Sequence, residues 1–289
     1  MPASLSSRSS MRMKPSPSAW RRIRRLALIV LLAYVALHVA FRPSNDRDWS
    51  ADQTVLPEAT ITGHVVRIRG VRNFAYESTD RYVPAWYDTT YDLDSLRRAW
   101  FVVEPFSGWR GPAHTFLSFE FAGPRFVAIS VEIRKERGES FSPVKGLLRQ
   151  YELMYVIGDE RDLVRLRSNF RHDSVFVYPV RAPAARVRAV FVDMLDRANA
   201  LREHPEFYNT LTNTCTTNIV RHVNRIAPHR VPWSYKVLLP GYSDKLAYDI
   251  GLIDTDLPFE EARRRFYIGD RAKVYADSAD FSAGIRAGR

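Results

Sequence analysis

The only cysteine of the chain, Cys215, lies where a polar cluster gives way to a helical pattern. Asn213 or Thr214 is suited to cap that helix, because a short side-chain oxygen accepts hydrogen bonds from the free amides of a first turn. Cys215 would then lie at a helix N-terminus, where the helix dipole favours the thiolate, which is the nucleophilic form. The pattern predicts a thiol nucleophile. The alternative is a small buried residue beside a capping motif.

Two consecutive segments read as strands, and their alternation determines how they pair. Apolar side chains occupy every second position of 115–121 and of 126–133, and the two apolar faces must coincide. A three-residue loop, 122–124, connects the strands with turn residues. In this register His114 opposes Glu132 on the face away from the apolar side chains, with Cβ atoms about 5 Å apart.

These residues form a candidate catalytic group. A thiol needs a base to accept its proton, and the base is best oriented by a third group. We therefore expect Cys215 as nucleophile, His114 as base and Glu132 as the residue that orients the base. His222 is the rival base, but seven residues along a helix place it about 10 Å from the thiol. The other histidines are scattered, so neither a metal site nor a cofactor is predicted.

The N-terminus has the pattern of a membrane anchor. Residues 1–25 are basic and contain no acid, and an apolar run follows from Leu26 to Phe41. Cationic flank before apolar core is typical of a signal anchor, and no convincing cleavage site is present. We expect a single-pass protein of the bacterial inner membrane with its main domain in the periplasm. A lone thiol in that oxidising compartment has no internal disulfide partner, which favours a catalytic role.

The net charge of +11 is concentrated at the N-terminus. The seven cationic residues before Leu26 leave 36 Lys and Arg against 32 Asp and Glu. A nucleic-acid partner is therefore not expected. The predicted segments are a cytoplasmic basic segment (1–25), a transmembrane anchor (26–41), a linker (42–60), a periplasmic thiol-enzyme-like domain (61–235) and a C-terminal extension (236–289).

The order of elements predicts an α+β fold, because strand-like alternation dominates the first half and helical spacing the second. Further strands are expected at 61–68, 100–103 and 175–180, and helices at 183–203, 216–226 and 259–266.

Several stretches resemble a known bacterial family. The order of histidine on a strand and cysteine at a helix start resembles the permuted, NlpC/P60-like branch of papain-like thiol enzymes. More closely, five stretches look like the family named for the periplasmic N-terminal domain of the Lnb lipoprotein N-acyltransferase, formerly a domain of unknown function. These stretches are 113–119, 130–136, 149–153, 155–160 and 208–218.

The resemblance implies a permuted papain-like fold, an antiparallel sheet packed on helices, preceded here by one N-terminal transmembrane helix. It places nucleophile and base on Cys215 and His114. Tyr151 and Arg134 fall in matching stretches and are accessory candidates. The oxyanion would be bound by helix amides near Thr216, with Asn213 or Asn218.

Three classes of function stay open. The first is a membrane-anchored acyltransferase that acts through a thioester on acyl groups of a membrane lipid or lipoprotein. The second is a cysteine amidase or peptidase of the cell envelope. The third is a non-catalytic envelope binding domain. An apolar groove that reaches lipid would favour acyl transfer, whereas an open, wet groove would favour hydrolysis.

Overall fold

The computed structural model of the protein describes residues 17–106, 110–123 and 125–288. The first sixteen residues of the predicted basic segment, and Pro124 of the predicted hairpin loop, therefore lie outside the described residues. The chain divides into two units, one ending at Pro43 and one beginning at Ser44.

The first unit contains helix α1 (Pro17–Ala40). The sequence predicts a transmembrane anchor here, but within the described residues no helix is both long and apolar enough to cross a membrane. Arginines occupy the first half of α1 at positions 21, 22, 24 and 25. The apolar residues after them form about 22 Å of helix, against a hydrocarbon core of about 30 Å. The anchor is thus not supported.

The second unit is built on a mixed β-sheet that crosses the whole unit. Its strands are β1 (Glu58–Thr62), β2 (Val65–Arg72), β5 (Trp86–Asp92), β6 (Leu96–Pro105), β7 (Ala113–Phe121), β8 (Arg125–Arg134), β9 (Glu152–Gly158) and β10 (Phe176–Pro179). Two further short strands, β3 (Ala75–Tyr76) and β4 (Tyr82–Val83), pair with each other.

The strand order is β1-β2-β9-β8-β7-β6-β10, with β5 on the other side of β2. All neighbours are antiparallel except β2 and β9, which are parallel. The expected α+β class is confirmed. The sheet is mixed and not the antiparallel one that was expected, because β9 runs beside β2 in the same direction.

The single strand expected at 61–68 is a hairpin. Thr62 pairs with Val65, and Gly63 has a φ of +61° in the turn between β1 and β2. Glycine adopts this left-handed backbone at little cost. The alternation of apolar and polar side chains continues through the turn, so the sequence pattern did not reveal the hairpin.

The predicted register of β7 and β8 is confirmed. Phe121 pairs with Arg125 and Phe116 pairs with Ser130, and the same register places His114 opposite Glu132. The two apolar faces coincide as expected, because a slip of one residue would turn every side chain of one strand to the wrong face.

Helices cover both faces of the sheet. They are α2 (Pro143–Leu147), α3 (Glu160–Arg165), α4 (Ala184–Glu203), α5 (Cys215–Ile226), α6 (Tyr235–Leu238), α7 (Ser243–Asp249), α8 (Phe259–Phe266), α9 (Gly269–Val274) and α10 (Phe281–Gly284). A π-helical turn, Leu166–Phe170, follows α3.

The two faces of the sheet have separate cores. On one, which we call the α5 face, Leu117 and Phe119 of β7 pack with α4 and α5 in the larger core. On the other, the α3 face, Phe116 of β7 packs with α3, α9 and α10. Because successive residues of a strand point to opposite faces, each residue of β7 belongs to one core only.

The segment expected as a C-terminal extension packs against the sheet. Ile253 and Phe266 lie in the core of the α5 face, and Phe281 and Ile285 lie in the core of the α3 face. Arg286 forms a bidentate ion pair with Glu160, at 2.7 and 2.6 Å, in a buried position. This pair fixes the end of the chain to α3.

We expect Arg286→Ala to lower the free energy of unfolding by about 3–5 kcal/mol, because it removes the cation that pairs with the buried Glu160 carboxylate. Urea denaturation followed by circular dichroism measures the loss. The matched control is Arg188→Ala, which removes an exposed ion pair with Asp94 and should cost about 1 kcal/mol or less. Equal losses in the two variants would contradict the assignment.

Candidate active site

Helix α5 begins at Cys215, and its N-cap is Thr214. Of the two predicted caps, Asn213 and Thr214, the structure therefore has the second. The Thr214 hydroxyl accepts from the Thr217 amide at 3.2 Å, and the Thr217 hydroxyl accepts from the Thr214 amide at 2.8 Å. This reciprocal capping box satisfies two amides. The first amides of α5, at Cys215 and Thr216, have no acceptor within the helix, so they are available to a negative charge near the thiol.

Cys215 lies on the α5 face of the sheet. Its side chain is 7% exposed and belongs to the core of that face. The Thr216 hydroxyl lies 3.7 Å from the Cys215 sulfur and 2.9 Å from the Thr115 hydroxyl of β7. Thr216, an oxyanion candidate, therefore connects the thiol to the neighbour of His114, and not to His114 itself.

Tyr208 is a site residue that the sequence did not single out. Burial raises the pKa of the Tyr208 phenol above its usual value, and the electrostatic effect of Cys215 adds to this shift. The phenol consequently stays protonated near the thiol. A protonated hydroxyl beside a nucleophile can donate a hydrogen bond to a developing oxyanion.

The amides of Asn213 and Asn218 bond to each other and to the start of α5. Asn218 donates to the Asn213 side-chain oxygen at 3.0 Å and to the Thr214 carbonyl at 2.8 Å. Asn213 donates to the Phe207 carbonyl at 2.9 Å. These bonds hold the turn that precedes Cys215 in place. Both residues therefore position the thiol through the backbone of this turn.

His114 lies on the α3 face in a partly buried polar cluster. Its Nε2 atom lies 2.7 Å from the Ser130 hydroxyl, which donates to a Glu132 carboxylate oxygen at 2.8 Å. Glu132 itself is 3.8 Å from the same imidazole nitrogen. Glu132 therefore stands beside His114 as the register predicts, but Ser130 makes the direct hydrogen bond.

Arg167 and Glu104 complete this cluster. The Arg167 guanidinium bonds to Glu104 at 2.6 Å and to Glu132 at 3.0 Å. Burial, reinforced by the Arg167 charge, lowers the pKa of His114 to about 3. Burial raises the pKa of Glu104 to about 7 against the opposing effect of Arg167. The cluster thus holds His114 as a neutral imidazole.

The structure does not bring His114 and Cys215 together. His114 stacks on Phe116 in the core of the α3 face, whereas Cys215 packs with Leu117 in the core of the α5 face. The sequence analysis expected the two side chains within hydrogen-bond reach of each other, but the structure places them on opposite faces of the sheet. The side chains of His114 and Thr115 point to opposite faces of β7, and Thr115 is the one that contacts the start of α5.

His222, on α5, belongs to a second set of hydrogen-bonded side chains. Its Nδ1 atom lies 2.6 Å from Asp193 of α4, and its Nε2 atom lies 2.6 Å from the Tyr155 hydroxyl of β9. Burial lowers the pKa of His222 although Asp193 opposes the shift. A neutral His222 that donates to Asp193 and accepts from Tyr155 satisfies all three groups. The chain ties α5 to α4 and to the sheet.

The two accessory candidates make structural contacts elsewhere. Tyr151 donates to the Ser140 carbonyl at 2.5 Å and accepts from the Ser142 amide. Arg134 donates to carbonyls of Gln53 and Thr54 and stacks on a tryptophan ring, 4.1 Å away. Arg134 therefore fixes the segment that enters the second unit.

A long apolar cavity runs along α5. It encloses a volume of about 130 Å³ and is partly open to solvent. Thr216, Ile219, Val220 and Val223 of α5 form one wall. The opposite walls come from α4, β6, β7, α7 and the segment after α7. No local pattern predicts this cavity, because its walls come from distant parts of the sequence.

Within the described residues, no group of three His, Cys, Asp or Glu side chains is arranged to hold a metal ion.

A family comparison decides the relationship. A model of the Lnb N-terminal periplasmic domain matches residues 82–241, which is more than half of the chain and includes His114, Glu132 and Cys215. The chain belongs to this family. It is accordingly a periplasmic protein of the cell envelope. No curated protein and no solved structure matched the chain.

We expect His114→Gln to leave the alkylation rate of Cys215 by iodoacetamide at neutral pH unchanged, because the sheet separates the two side chains. Mass spectrometry of the intact protein measures the rate without ambiguity, since Cys215 is the only cysteine. A base that acts on the thiol would contribute about 100-fold or more. A loss of that size in a variant with an unchanged unfolding curve would contradict the placement.

Proposed function

We propose that the protein is a cysteine-dependent acyltransferase of the cell envelope, which carries the acyl group as a thioester on Cys215. Its substrate is a membrane lipid or a lipoprotein. The observation that carries the proposal is the apolar cavity that extends along α5 and reaches Thr216, the residue beside the thiol.

The cavity matches an acyl chain better than a peptide or a sugar. Its walls are almost entirely apolar side chains, so a polar ligand would lose its hydrogen bonds to water without replacement. An acyl chain gains free energy by leaving water. From Thr216 to Ala227 the wall formed by α5 extends about 16 Å, which suits a chain that starts at the thiol and runs along the helix.

The chemistry follows from the start of α5. The Cys215 thiol loses its proton to solvent and its sulfur attacks an ester carbonyl. The carbon–sulfur bond forms, the ester carbon–oxygen bond breaks, and the leaving alkoxide takes a proton from solvent. The oxyanion formed on the way is within the field of the free amides at the helix N-terminus, and the protonated Tyr208 phenol is a second donor. An amine then attacks the thioester, the carbon–sulfur bond breaks and the thiol is regenerated.

The base that accepts the thiol proton is not His114 in this arrangement. The His114 cluster instead contributes a hydrogen-bonded centre to β7 and β8, and so holds Thr115 against Thr216.

The separation of Cys215 and His114 favours a second candidate, a non-catalytic envelope domain that binds acyl chains. The same cavity would serve it, and Cys215 would then be a small core residue. An envelope amidase or peptidase has less support, because it needs an open polar groove beside the thiol.

Incubation with an activated ester distinguishes these functions. We expect p-nitrophenyl dodecanoate to give a dodecanoyl adduct that hydroxylamine removes and that Cys215→Ser lacks. Intact-protein mass spectrometry detects it. Ala247→Phe places a ring in the cavity and should slow dodecanoylation by about tenfold, the effect of about 1.4 kcal/mol.

Acetylation by p-nitrophenyl acetate provides the internal control. Ala247→Phe should leave it unchanged, because an acetyl group does not enter the cavity. A folded protein that forms no adduct with either ester would exclude the thioester and leave the binding function. Equal slowing of both esters would show that the cavity does not hold the chain.

A further inference from the structure

The apolar cavity has a buried end and an open end. Thr216 and Leu117 close the inner end and are buried. Exposed residues at the start of α4, among them Pro183 and Arg186, form the open end together with Arg230, which follows α5. Thr216, whose hydroxyl lies 3.7 Å from the Cys215 sulfur, is therefore at the closed end, and solvent is at the other.

Positive charge is concentrated at the open end. Arg181, Arg186 and Arg230 all line the cavity. Arg181 is paired with Asp254 and Asp256. Within the described residues, neither Arg186 nor Arg230 has an acidic side chain within ion-pair distance. Two guanidinium groups without acidic partners at the rim of an apolar cavity form a site of positive potential beside a hydrophobic one.

We infer that the cavity binds a single-chain amphiphile with an anionic headgroup, whose tail points towards Thr216 and whose head is held by Arg186 and Arg230. A guanidinium group recognises carboxylate and phosphate oxygens through paired charge-assisted hydrogen bonds. The apolar walls bind the tail. A neutral lipid of the same length would gain only the contacts between its tail and the apolar walls.

This inference goes beyond the thioester proposal and does not depend on it. A tail that enters from the open end occupies the volume that an acyl chain on Cys215 would fill. The amphiphile therefore competes with acylation, as a free fatty acid or a lysophospholipid would after an acyl group has been released.

Binding of dodecyl phosphate to the full-length protein tests the inference. Calorimetry below the micelle concentration should show binding that weakens as salt is added, because the headgroup contacts are screened. The double variant Arg186→Gln/Arg230→Gln should weaken binding by about tenfold or more, equivalent to at least one lost charge-assisted contact. Arg188→Gln is the matched control on the same helix and should bind normally.

The two parts of the ligand are tested separately. Inorganic phosphate alone should bind far more weakly than dodecyl phosphate, and neutral monododecanoylglycerol should bind more weakly and be insensitive to the double variant. Val220→Phe and Ala247→Phe both fill the cavity, and a folded variant of either kind should lose binding. Equal affinity for the neutral and the anionic lipid, or undiminished binding by the filled variants, would overturn the inference.

Cys215→Ser should bind dodecyl phosphate as the wild-type protein does. Failure of the thioester proposal thus leaves this result unchanged. Loss of headgroup recognition, in turn, leaves acyl-adduct formation on Cys215 unaffected.

Discussion

Strand β7 lies inside a sheet that helices cover on both faces, and its side chains alternate between two cores. His114 belongs to the polar cluster of Ser130, Glu132 and Arg167, and Thr115 belongs to the start of α5. A backbone covered on both faces cannot rotate one residue to the other side without moving all of them. This constraint assigns the thiol, the cavity and the capping box to one face, and the neutral imidazole to the other.

The α5 face contains the features on which the proposed acyl chemistry depends. The capping box fixes the start of α5, and the chain of Asp193, His222 and Tyr155 fixes its middle. The cavity lies between the core of the sheet and a small apolar cluster of Val231, Val237 and Leu246. Because α6 and α7 close the cavity from outside, the segment after residue 235 is part of the site, although the family match ends at residue 241.

Local patterns predicted what depends on neighbouring residues. The register of β7 and β8 follows from alternation and a short loop, and the start of α5 at Cys215 follows from its threonine cap. The separation of Cys215 from His114 could not be predicted in this way. Both faces of β7 are apolar, through Phe116 on one side and Leu117 on the other, so the strand itself does not show which face receives α5. The cavity and the arginines at its open end could not be predicted either, because distant segments of the sequence form them.

In the proposed function, an acyl chain attached to Cys215 lies along α5 on the face opposite His114. The most direct measurement is a crystal structure of the protein whose thiol carries a dodecyl chain through a disulfide. We expect electron density for the chain in the cavity, against Ile219 and Val223, with the Ser130–His114 contact unchanged. A chain that extends into solvent, or that emerges beside His114 and Glu132, would contradict the account.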